Sequence, residues 1–225
     1  VTFIAEGRLS DSPYVDSIWR GCADVDQTLM CPADGRWNLC FTKTNDKVQV
    51  SVKGPISQAF PQTQVAGVEW LVIKFQLGVF LPDISARQYT DGSALLPDAA
   101  CCSFWLHSDT WQLPDYENAD TFVDWLVRDQ ALRVNPFVTG ALQDSPPILA
   151  DRTLRRHFLE TTGLSQTHIR QIERARDAMI LLQQDVPILD VVEQLHYADQ
   201  PHLTRSMKRF MGYTPTQVTG WRLPM

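Results

Sequence analysis

The chain has 225 residues, 44% of them apolar, and a formal charge of −6, enough to bury one large core or two small ones. That balance excludes a uniformly basic nucleic-acid-binding chain, but the charge is unevenly spread: residues 1–150 carry 10 Lys and Arg against 18 Asp and Glu, and residues 151–225 carry 10 against 8. Only the C-terminal third suits an anionic partner.

Five cysteines, Cys22, Cys31, Cys40, Cys101 and Cys102, form an odd set without a CxxC pair, which fits reduced thiols better than a disulfide framework. Cys101 and Cys102 with His107 come nearest to a metal or nucleophile cluster, yet no second ligand pair or orienting partner accompanies them. No catalytic residue, metal or cofactor is expected. Val1 to Trp19 carries Glu6, Arg8, Asp11 and Asp16, so it has no apolar signal core, and no run approaches the ~20 apolar residues of a membrane span. A soluble, cytoplasmic protein without a membrane partner is the expectation.

Up to about residue 115, short apolar runs alternate with Pro and Gly turns, the pattern of a β-rich domain. Pro32-Ala33-Asp34-Gly35 is a turn before a strand from Trp37 to Phe41. Val48, Val50 and Val52 alternate with Gln49 and Ser51 in a half-buried strand that stops at Gly54-Pro55. Val68 to Phe75 is apolar on both faces near its middle, as in a central strand. Trp19, Trp37, Trp70, Trp105 and Trp111 with Phe75 and Phe80 are candidates to line an effector pocket, although core packing accounts for them equally well.

After Pro114 the period changes to that of a helix. Phe122, Val123, Trp125, Leu126 and Asp129 recur at helical spacing, with Asn118 or Asp120 as the N-cap. Residues 133–147 are broken by Asn135-Pro136, Gly140 and Pro146-Pro147 and leave room for one short helix around Val138 to Gln143. Asp151 to Thr161 is a helix closed by Gly163. Thr167 to Gln184 is a long one carrying Ile169, Ile172, Ala175, Met179 and Leu182. Ile188 to Leu195 and Gln200 to Phe210 follow, the last stopped by Gly212. The fold class is α+β, with a β-rich sandwich or barrel over residues 1–133 and an all-α domain over residues 134–225.

The helical part repeats itself. At a constant offset of 49, Leu154, Arg156, Phe158, Gly163, Ser165 and Thr167 correspond to Leu203, Arg205, Met207, Gly212, Thr214 and Thr216. Each copy is a helix with Arg two residues after a buried Leu, a glycine stop, and a hydroxyl residue to cap the next helix. In the second copy the preceding helix and turn are legible too, which makes it a helix-turn-helix whose second helix is presented to a major groove. Arg forks onto guanine and Gln onto adenine, so Gln200, His202 and Arg205 are candidate base contacts, matched in the first copy by Arg152, Arg155 and Arg156. Thr204, Lys208 and Arg209, with Ser165 and Thr214 at the helix starts, are candidate phosphate contacts.

Residues 150–222 resemble the DNA-binding domain of the AraC/XylS family of regulators. The resemblance rests on Arg152 to Phe158 with Thr162 to Ser165, on Arg174, Ala175 and Ala178 with Leu181 and Leu182, and on the run from Tyr197 to Pro215. It implies two helix-turn-helix units joined by a long linker helix, here Thr167 to Gln184, with both presented helices in successive major grooves of promoter DNA. The first unit's supporting helix should then fall near residues 138–147, and His196 stands where the family has a turn Gly. Pro32 to Leu39, Gly54-Pro55 and Phe75 to Leu81 resemble β-rich sensor domains attached to AraC-like regulators. The partners this implies are double-stranded promoter DNA, RNA polymerase, an unidentified small-molecule effector, and a second copy held through the β half. The competing readings are a β-barrel enzyme or cupin-like metal protein, disfavoured because residues 1–115 contain one histidine, His107, and a helical protein-interaction module.

Overall fold

The computed structural model describes residues 3–45, 47–98, 102–141 and 150–219. In chain order the first elements are β1 (Phe3–Leu9), β2 (Val15–Ala23), β3 (Gln27–Cys31), β4 (Asn38–Thr44), β5 (Lys47–Lys53), β6 (Phe60–Gln64), β7 (Glu69–Phe75) and β8 (Val79–Phe80). The short helix α1 (Ala86–Tyr89) precedes β9 (Ser93–Leu95), β10 (Ser103–Leu106) and β11 (Asp109–Gln112). Then come α2 (Ala119–Arg128), β12 (Arg133–Val134) and α3 (Pro136–Gly140). Among the described residues, six strands pair antiparallel in the order β1-β2-β7-β4-β5-β9, and β3-β6, β10-β11 and β8-β12 form smaller pairs. The Val68–Phe75 run thus lies inside the sheet as β7, between β2 and β4.

Alternation sets the sheet's inner face. Val50 and Val52 of β5, Leu39 and Phe41 of β4, Ile73 and Phe75 of β7 and Ile18 of β2 are buried together. Phe122, Val123 and Leu126 of α2 pack onto this core, and the Phe122 ring meets those of Phe41, Phe104 and Trp111. Trp125 departs from the expected apolar face: it is 49% exposed. Asn118 occupies the N-cap position without capping the helix; its Oδ1 accepts from Asp115 N at 3.0 Å instead. Of the proposed effector-pocket residues, Trp37, Phe75 and Trp111 belong to the core, and the Trp111 indole donates to Leu106 O.

The helical part comprises α3 and then α4 (Asp151–Thr162), α5 (Gln166–Gln183), α6 (Ile188–Gln194), α7 (Gln200–Phe210) and α8 (Pro215–Val218). Pro136 begins α3 and the Asn135 side chain accepts from Phe137 N, so Asn-Pro acts as a start signal, not a break. The rest of the expected 138–147 segment, from residue 142 onward, lies outside the described residues. The linker helix α5 is shared. Ile169, Ile172 and Ala175 pack with Phe158 of α4, and Ala178 and Leu182 pack with Val191, Leu203 and Met207 of α6 and α7.

The two parts are held together where β-domain loops meet helix ends. The first such loop carries the Pro32–Gly35 turn. Ala33 N donates to Phe210 O at 2.6 Å and the Trp37 indole to Thr161 O at 2.9 Å, while Ala59 N, from a second loop, reaches Arg209 O at 2.9 Å. Each donor satisfies a carbonyl in the last turn of α4 or α7, which no helical N–H can reach. Alongside, Arg36 binds Glu173 of α5 through two parallel hydrogen bonds of 2.6 and 3.0 Å. Asp16 bridges Arg36 and Arg176 at 3.4 and 3.2 Å, and Asp34 pairs with Lys74 at 2.7 Å. Burial alone would raise the Asp34 pKa, but Lys74 and Arg36 outweigh it and hold the carboxyl below its ordinary value. Burial alone would lower that of Arg36, but the Glu173 hydrogen bonds and the Asp34, Glu173 and Asp16 charges keep it above normal.

Two outcomes follow for stability. Arg36→Met takes from Glu173, Asp16 and Asp34 the buried cation they share and should cost about 3 kcal/mol in urea unfolding, whereas Trp37→Phe, which removes one donor, should cost about 1 kcal/mol. Because the Asp34 pKa is depressed in the folded state, its contribution is complete above the ordinary carboxylate pKa of about 4 and is lost as pH falls below it. Acid titration followed by near-UV circular dichroism should find this loss reduced in Asp34→Asn.

Candidate nucleic-acid interface

Helix α4 ends at Gly163, whose φ of +68° is left-handed, and Gly163 N donates to Leu159 O at 3.0 Å. A Cβ there would overlap Thr90 Oγ1 and stand 2.8 Å from Ala86 O, so both conformation and space demand glycine. Gly212, at φ +82°, closes the α7 end against Met30 and Ala59. Ser165 caps α5, its Oγ accepting from His168 N at 3.2 Å, and Thr214 N donates to Gln217 Oε1 at 2.8 Å at the start of α8. The glycine stops and hydroxyl caps read from the repeat therefore occupy equivalent places in both copies.

In the second unit, α6 ends at Gln194, one residue before the expected end. His196 takes φ +54°, while Tyr197 N reaches back to Val192 O and His196 N to Glu193 O. This is the Schellman closure that usually favours glycine; the sequence places His there and the backbone shape is kept. Asp199, not singled out from the sequence, caps α7 by accepting from His202 N at 2.6 Å. An Asp two residues before Pro201 is the sequence signal that would have found it.

Leu203, Ser206, Met207 and Phe210 are the buried side of α7. At 100° per residue the opposite side is centred on Pro201, Thr204, Arg205 and Lys208. Phe158, Thr161 and Thr162 are buried in α4, which leaves Arg152, Arg155, Arg156 and Leu159 outward. These two sets are the same positions 49 residues apart, so both helices turn equivalent faces outward.

Gln200, Arg205, Lys208 and Arg209 are exposed, as are Arg152, Arg155 and Arg156. His202 is half-buried: its Nδ1 accepts from Ala198 N at 3.4 Å and its ring meets Tyr197 edge-on, which leaves Nε2 as an outward donor. The Thr204 hydroxyl donates to Gln200 O at 3.0 Å, so its proton is committed to its own helix. The other arginines of the basic stretch do not join this face. Arg170 binds Ala141 O, Arg174 covers the Tyr197 ring at 4.4 Å, and Arg176 pairs with Asp16. Among the described residues no group of three His, Cys, Asp or Glu is placed to hold a metal, and no helix is long and apolar enough to cross a membrane.

The helix-turn-helix geometry agrees with the sequence comparisons. Residues 149–220 match the family model of the helix-turn-helix domain. Over 98 residues, 43% of this chain, the sequence is 34% identical to the HTH-type transcriptional regulator RipA of Corynebacterium glutamicum, and the match spans 30% of that relative's length. A solved structure of ToxT from Vibrio cholerae is similar over 98% of this chain and 100% of its own, at 10% identity and a TM-score of 0.45. Residues 149–220 are a helix-turn-helix domain.

The glycine stops provide a direct check. Gly163→Ala should destabilise the chain by about 1–3 kcal/mol in thermal or urea unfolding. Asp199→Ala should cost about 1 kcal/mol and speed amide exchange in the first turn of α7.

Proposed function

We propose that the chain is a sequence-specific, DNA-binding transcription regulator. In this reading residues 134–225 bind promoter DNA, and residues 1–133 sense a small molecule and carry the contacts for pairing with a second copy. The observation that carries it is the pair of equivalent outward faces on α4 and α7, each following a glycine-stopped, cap-linked plan and together holding four exposed arginines.

Arg205 and Gln200 read bases from α7, with His202 donating through Nε2 at the helix start. Arg152, Arg155 and Arg156 do the same from α4. Lys208 and Arg209, a turn further along, meet phosphates, supported by Thr204, Ser165 and Thr214. Thr204, Ser165 and Thr214 contribute least, because their polar groups already serve helix backbone or caps. Two such helices in successive major grooves contact bases about 34 Å apart.

The test is retention of labelled duplexes, drawn from the chain's own promoter region or selected from random sequence, across a range of salt. Retention should be salt-sensitive and sequence-preferring. Arg205→Ala should cost about 1–3 kcal/mol and relax preference at one position, while Lys208→Ala should weaken all sequences alike and lower the salt slope by about 1. Retention with neither salt nor sequence dependence would sink the reading.

A further inference from the structure

The outward face of α4 borders a cleft of about 1070 Å³. Arg152, Arg155, Arg156 and Leu159 form one wall, and the β-domain segment from Phe80 to Arg87 forms the other. That second wall is held at both ends: Phe80 pairs with Arg133 of β12, and the α1 backbone lies against Gly163 at the end of α4. Between these points Asp83 pairs with His107 in the β10–β11 turn.

The lining mixes positive charge with apolar surface. Arg87, Arg152, Arg155 and Arg156 outnumber the carboxylates of Asp151 and Glu160. Arg156 lies 3.7 Å from Glu160, whereas Arg87, Arg152 and Arg155 make no ion pair among the described residues. Phe80, Pro82, Ile84 and Leu159 supply the apolar part. A strand of DNA offers the matching surface, phosphates in a row with apolar deoxyribose faces between them. The cleft is also in the right place for one. A helix about 10–12 Å across fills a major groove about 12 Å wide, so the strands that border the groove run along the helix flanks. On this flank of α4 the cleft gives the room, and Arg87, exposed on α1, stands on its far side.

We infer that the cleft receives one sugar–phosphate strand of the bound duplex and that Arg87 is a phosphate ligand, which makes the β domain part of the DNA interface. This rests on the proposed DNA reading, in which Arg152, Arg155 and Arg156 read bases from the opposite wall. Arg87 carries no sequence information of its own; a phosphate contact fixes the register and orientation of the reading helix on the duplex. The strand lies between α4 and the wall, with its sugars against Pro82, Ile84 and Leu159.

The test uses the full chain and a duplex selected by it from random sequence. Arg87→Gln should bind about tenfold more weakly whatever the sequence and lower the salt slope by about 1, with base preference unchanged. Arg87→Lys, which keeps the charge, should restore the slope. Arg128→Gln, which removes an exposed arginine of α2 outside the cleft, should leave it alone. Because Arg87 is exposed and makes no ion pair, the unfolding midpoint of Arg87→Gln should match the parent's. A second arm replaces single phosphates by neutral methylphosphonates along both strands. At one position beside the bases read by α4, the substitution should weaken the parent and leave Arg87→Gln unaffected. An unchanged salt slope in Arg87→Gln, an equal fall in Arg128→Gln, or methylphosphonates that weaken Arg87→Gln as much as the parent at every position overturns the inference and leaves the DNA reading standing. A parent chain that retains no duplex overturns both.

Discussion

The Arg36–Glu173 pair is the fixed point of the molecule. It joins the residues just before β4 to the middle of α5, a helix that packs against both helix-turn-helix units. Its two parallel hydrogen bonds set direction as well as distance. With Asp16 and Arg176 alongside, the linker helix cannot rotate about its axis without breaking these charge pairs. Around that point the β-domain loops reach the last turns of α4 and α7, so the spacing of the two outward faces depends on the β domain as well as on the linker.

Under the proposed function, this arrangement is a short mechanical route from a sensor to a DNA-reading surface. Residues 81–85, which stand opposite Arg152 and Arg155, and the indole that caps Thr161 O lie between β-strands, and the salt-bridge cluster links such a loop, through Asp34 and Arg36, to β2, β7 and α5. A shift in those loops moves the helix ends directly, without a separate relay. The second unit is held mainly through Phe210, Arg209 and Met211, at the far end of α7 from Gln200 and Arg205. Its reading face therefore stays open while that of the first unit is partly enclosed.

Much of this was legible in the sequence because it is local or periodic. Alternating valines gave β5, the doubly apolar run gave the interior strand β7, and the 49-residue offset gave the matched glycines, caps and arginines. What escaped was long-range. Arg36 and Glu173 are 137 residues apart, and no period connects them. The arginines between 152 and 176 looked like one basic face, but charge alone does not reveal that Arg170, Arg174 and Arg176 spend theirs on a carbonyl, a ring and Asp16. The Pro32–Gly35 turn was recognisable as a turn; that it docks on two helices was not, since its main contacts are made by backbone atoms that any sequence supplies. Trp125 followed helical spacing yet lies outward, because spacing gives the period and not the width of the buried stripe.

The loops' grip on the two helices divides into parts with different genetic exposure. The donors from Ala33 and Ala59 belong to the main chain, so every replacement except proline preserves them. Those from Trp37 and Arg36 belong to side chains and vanish with a single codon change. Drift can thus retune how firmly α4 and α5 are held while α7 stays anchored.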